Sequence, residues 1–146
     1  MTPVIDERDL PKDNRLAYRL RAWGPAAVWA AVLFLLGAWP IRLDDDWWPP
    51  VSDKVAHLGL YTVLGAALAY ARFRGARGPP HVMMVVIGAF YGASNEWYQR
   101  FVPGRTPSLG DWAADVAGVV LGYGLVMLLA NGFGRRDEAE AKEKTT

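Results

Sequence analysis

Four stretches of this chain contain no Asp, Glu, Lys or Arg: Ala22–Ile41, Val55–Ala71, Gly78–Asn95 and Val116–Gly134. Each falls within the about 17–25 residues that carry a helix across a hydrocarbon core. Helices buried in a soluble bundle keep a polar stripe at the 3.6-residue period. These windows have none, so the sequence predicts an all-α, polytopic membrane protein with four transmembrane helices in a small bundle. The predicted organisation is a cytoplasmic N-terminal tail at 1–21, a membrane domain at 22–134 and a cytoplasmic C-terminal tail at 135–146.

Span one is expected at Ala22–Trp39, with Gly24 and Pro25 at its start and Trp23 and Trp39 at the two interfaces. Its polar leader is long and no small-x-small cleavage site follows, so it reads as a retained anchor. The first loop, Pro40–Ser52, holds Asp44, Asp45, Asp46, Trp47 and Trp48, and Ser52 is the expected N-cap of span two. The second loop carries Arg72, Arg74 and Arg77 and no acid. The positive-inside rule puts that loop in the cytoplasm, with both chain ends on the same side and the first and third loops outside. In a bacterium this is the inner membrane. Span three is expected at His81–Tyr98 and span four at Leu109–Ala130. Gly88, Gly92 and Glu96 share one face of span three; Gly118 and Gly122 form a small-xxx-small pair on span four. These glycines are expected to bring spans three and four close together, and the tail from Asp137 is expected to be disordered.

The hairpin topology gathers the polar residues. It places the start of span two, the end of span three and the start of span four at one membrane face. Asp53, His57 and Tyr61 lie on one face of span two, beside Lys54; Glu96 and Gln99 leave on span three; Asp111 and Asp115 enter on span four. Arg100 and Arg105 lie in the Pro-Gly loop between. Each has a structural reading as well. Asp53 suits a helix dipole, Ser108 with Asp111 resembles a capping box, and Arg105 bridges Asp111 and Asp115. Ionisable groups from three helices meeting at one membrane face are nevertheless functional candidates by default.

These residues also match a family pattern. Asp53-Lys54-Val55-Ala56-His57-Leu58-Gly59-Leu60-Tyr61 resembles the D-K-x-x-H-x-x-x-Y opening of VanZ-like membrane proteins. Glu96-Trp97-Tyr98-Gln99, Pro103-Gly104-Arg105 and Asp111-x-x-x-Asp115-x-x-Gly118 resemble that family's later E-x-x-Q, P-G-R and D-x-x-x-N-x-x-G blocks, in the same order. Asp115 departs from the pattern, where asparagine is usual, and adds a negative charge. The resemblance implies a polytopic bacterial membrane protein of the cell envelope. It implies a link to glycopeptide susceptibility, since the family is named for a protein associated with low-level teicoplanin resistance. It brings no reaction with it.

Three functions compete. The first is binding of an envelope lipid or lipid-linked cell-wall precursor. Arg105, Arg100 and Lys54 would hold phosphate or carboxylate. Asp53, His57, Tyr61, Glu96, Gln99, Asp111 and Asp115 would complete the site, with Trp47, Trp48, Trp97 and Trp112 as an aromatic rim. The second is a membrane-embedded enzyme using His57 and Glu96 as acid and base. A divalent ion on His57, Glu96, Asp111 and Asp115 is the weaker variant of that reading. No lipid-phosphatase trio, H-E-x-x-H pair or G-x-S-x-G turn is present. The third is an assembly role with an envelope protein or a second copy. Transport is the least favoured, because four spans without an internal repeat make a narrow bundle. No metal and no cofactor are expected. The net charge of +1 says little about partners, and no nucleic acid is expected. With no cysteine, thiol chemistry is excluded.

Overall fold

The computed structural model describes residues 11–39, 50–74 and 79–143. They form four helices in the order α1 (Lys12–Ala38), α2 (Pro50–Arg74), α3 (His81–Gln99) and α4 (Leu109–Glu143), with no strand among the described residues. The all-α expectation holds. The acidic residues and tryptophans of the first loop, and Arg77 of the second, lie outside the described residues.

Several boundaries differ from the sequence reading. α1 begins at Lys12, so Pro25 sits inside the helix rather than at its start. α2 already includes Pro50, which puts Ser52 within the helix instead of at its cap. Proline suits a first helical turn, where amide donors lack partners anyway. α4 continues to Glu143, through most of the tail expected to be disordered. That tail is rich in Ala, Glu and Lys, which favour helix, and has no Gly or Pro to stop it.

Asn14–Ala38 and Leu109–Gly132 are long and apolar enough to cross a membrane. Only 17% and 28% of their most apolar windows are buried, so neither reads as the core helix of a soluble protein. α2 and α3 do not meet the same measure among the described residues. Tyr61, Thr62 and Gly65 on α2, and Gly88, Gly92, Asn95 and Glu96 on α3, lower their mean apolarity. These are the residues those helices turn inward. Their outward faces stay apolar: Val63 and Phe73 on α2, and Val82, Val86, Ile87 and Phe90 on α3, are all exposed.

α2 packs most extensively on α4, not on its sequence neighbour α3. The two run parallel, with Lys54 beside Asp111, His57 beside Asp115 and Thr62 beside Gly122. Glycines make the approach possible. A Cβ on Gly122 would lie 1.9 Å from the Thr62 carbonyl oxygen, and one on Gly118 would lie 2.5 Å from that of Leu58. From the other helix, a Cβ on Gly65 would lie 2.3 Å from the Val119 carbonyl oxygen. The Gly118–Gly122 pair therefore serves α2, which corrects the expectation that it serves α3. Gly88 and Gly92 do face α4, against Val119 and Asp115. Leu64, Leu68, Met84 and Val119 fill the core below the polar end. α1 is tied on by Trp29 Nε1, which donates to the Leu60 carbonyl at 2.9 Å, and by the Tyr91 hydroxyl, which donates to the Ala30 carbonyl.

Candidate functional site

The turn between α3 and α4 sets the site. Arg105 N–H donates to the Val102 carbonyl at 3.1 Å, closing a four-residue turn. Pro103 takes its second position and Gly104, with φ 83°, its third. Positive φ there is the mark of a type II turn, which favours Pro followed by Gly. The P-G-R block is thus a turn that delivers Arg105.

Ser108 caps α4. Its Oγ accepts from the amides of Gly110 at 3.2 Å and Asp111 at 3.3 Å. In a capping box the third helical residue would reach back to the cap amide. Here the Asp111 carboxylate turns instead to Lys54, Nζ to Oδ1 at 2.5 Å. Glu96 of α3 takes over: the Ser108 amide donates to its Oε2 at 2.8 Å. One carboxylate on α3 thereby closes the cap of α4.

A second pair lies deeper. His57 Nδ1 is 2.8 Å from Asp115 Oδ1, and Asp115 is fully buried. A carboxylate is an acceptor, so Nδ1 carries the hydrogen and Nε2 is left free. Among the described residues Nε2 has no protein hydrogen bond. The extra negative charge at Asp115 is thus met by His57. Tyr61 stacks beside His57, and its hydroxyl accepts from Asn95 Nδ2 at 3.0 Å.

The predicted residues come together apart from Arg100, and the ion pairs differ from the one expected of Arg105. Arg105 bridges neither Asp111 nor Asp115, because Lys54 and His57 take those carboxylates. Arg105 lies toward α1, its Nη2 3.5 Å from the Leu36 carbonyl and its buried Nε without a partner among the described residues. Arg100 stacks on Trp97 at 3.8 Å and stays exposed, away from the cluster. Lys54 lies just before the charge-free window of α2. Its hydrogen bond to Asp111 and the charge of that carboxylate hold its ammonium above the ordinary lysine value.

A cavity of about 180 Å³ opens beside these groups. Asp53, His57, Tyr61, Asn95, Gln99 and Arg105 line its polar side. Leu33, Leu36 and Gly37 of α1 form its apolar wall. Sequence reasoning assigned the face to the second, third and fourth helices and missed this contribution from the first. It also missed Asn95, an uncharged residue inside an apolar window.

A family model described as VanZ/LLP1 matches residues 15–130. No curated protein and no solved structure matches the chain.

Proposed function

The chain belongs to the VanZ/LLP1 family, and from that membership and the cavity geometry we propose that this membrane protein binds an envelope lipid or lipid-linked cell-wall precursor by its anionic group. The observation that carries this reading is Arg105. It lines a cavity with one polar and one apolar wall, and its buried Nε has no partner among the described residues. A guanidinium offers several donors to phosphate or carboxylate. Gln99 and Asn95, both buried, supply amides for sugar or peptide groups. The α1 wall suits the start of a lipid chain.

The proposal includes a four-span topology in the bacterial inner membrane. Residues 1–21 and 135–146 face the cytoplasm, and the cavity opens on the other side. Support comes from the arginines at 72, 74 and 77 and from the apolar outward faces of α2 and α3. It extends to a role in glycopeptide susceptibility through control of the bound precursor.

Native mass spectrometry of the protein released from mild detergent tests the reading. Wild type is expected to carry an anionic envelope lipid or precursor, which folded Arg105→Ala and Glu96→Ala lose. Full retention in folded Arg105→Ala overturns it.

The His57–Asp115 pair favours a second reading, acid–base catalysis on a lipid-linked substrate. The carboxylate orients the ring and Nε2 is free to move a proton. Incubating a lipid-linked pyrophosphate with the protein separates the two: turnover lost in His57→Gln is catalysis, and unchanged bound lipid is not.

A further inference from the structure

Three side chains meet beside the cavity. Glu96 is fixed through Oε2 by the Ser108 amide, and its buried Oε1 has no partner among the described residues. Asp115 meets His57 through Oδ1, and its buried Oδ2 has no partner among the described residues. His57 Nδ1 lies 2.8 Å from Asp115 Oδ1, close enough for an ion to take the place of the hydrogen between them. Each carboxylate is held by one oxygen and has another to give. One ligand atom from each of the three lies within 4.8 Å of the others.

Bare carboxylate oxygens in such a place are costly. Glu96 is 7% exposed and Asp115 0%. Among the described residues no cation lies within ion-pair distance of Glu96. Lys54, the nearby ammonium, is committed to Asp111. Gly92 adds a spatial argument. A Cβ there would come within 3.0 Å of Asp115 Oδ2, so the absent side chain keeps room beside that oxygen.

We propose that Glu96, Asp115 and His57 form a divalent transition-metal site. Two carboxylates and one imidazole suit Zn²⁺ or Mn²⁺, and for one donor set zinc binds more tightly than manganese. The Ser108 amide holds Glu96 in place, the kind of second contact that supports such a site. Three protein ligands leave a coordination position open, as at zinc centres that act on a substrate. His57 also lines the cavity, so the site adjoins it. The ion site does not rest on the lipid-binding reading. If both hold, one anionic group meets the metal and Arg105 together.

The test uses the full-length, tag-free protein in detergent, stripped with EDTA and titrated with zinc chloride. Bound metal is counted by elemental mass spectrometry after desalting. Wild type is expected to hold one zinc per chain in the presence of excess Mg²⁺. Glu96→Gln still accepts the Ser108 amide and so should fold; its zinc affinity is expected to fall more than about tenfold. His57→Gln should behave likewise, and His81→Gln, at the far end of the bundle, should bind as wild type does. Arg105→Ala should also keep its zinc, which separates this site from lipid binding. In Co²⁺-loaded wild type, visible d–d absorption absent from Glu96→Gln reports the same ligands. A wild type that holds no zinc, or a folded Glu96→Gln that holds it unchanged, overturns the proposal.

Discussion

The two ends of the α2–α4 contact hold the same pair of helices by opposite means. From Lys54 to His57 the helices meet through charged and hydrogen-bonded side chains. From Leu58 to Gly65 they meet backbone to side-chain-free backbone, at Gly118, Gly122 and Gly65. Close contact of the second kind has one solution, because interiors are packed near crystal density. Polar side chains at the first end have other partners available to them, including an ion or a ligand. The glycine end fixes the register, and the polar end is thereby free to carry chemistry.

The severest way to break this contrast is Gly122→Val. A Cβ 1.9 Å from a backbone oxygen cannot be relieved by a rotamer change. The cost is expected to exceed the roughly 1–3 kcal/mol of ordinary overpacking. The variant should be lost to aggregation or proteolysis, read by size-exclusion recovery from detergent. Asp115→Ala comes next. It removes the buried partner of His57 and should cost about 3 kcal/mol, measured as a lower Tm in protein that still elutes as a folded species. If Asp115→Ala were as damaging as Gly122→Val, the polar end would be holding the helices together and the contrast would fail.

Lys54→Ala sharpens the comparison from the mild side. Lys54 is half-exposed, so its pair with Asp111 is screened by salt. The Tm loss should be the smallest of the three and should shrink further at high ionic strength, whereas the Asp115→Ala loss should not. The pH dependence has a definite sign. Lys54 is held above its ordinary 10.5, so the contribution of the pair is full at neutral pH. It disappears only as pH rises through that raised value.

The polar end was more legible in the sequence than the glycine end. Asp53, His57, Glu96, Gln99, Arg105, Asp111 and Asp115 stand out because charge is conspicuous beside apolar windows, and alternating hairpins bring their helix ends to one face. Their pairing was not legible. Both α2 and α4 present polar residues three or four positions apart, and only the parallel register set by the glycines matches Lys54 with Asp111 and His57 with Asp115. The role of the glycines was misplaced for a related reason. Short connections suggest that sequence neighbours pack together, yet α4 packs chiefly on α2, two helices back. Gly65 carries no marker that separates it from any other glycine in an apolar run. Helix ends were misjudged at Lys12 and Glu143, because a charge-free window measures apolarity and a helix continues wherever the backbone allows.

The Glu96 bond to the Ser108 amide also meters the chain between them. The carboxylate is anchored in the last turn of α3 and the amide stands at the threshold of α4. Adding or removing a residue in the stretch from Arg100 to Pro107 would slide that amide past its acceptor. Gly104 would then no longer fall where the backbone turns left-handed. Loops on protein surfaces commonly drift in length between relatives. This one is a ruler: its residue count is as much a part of the cluster as the side chains it delivers.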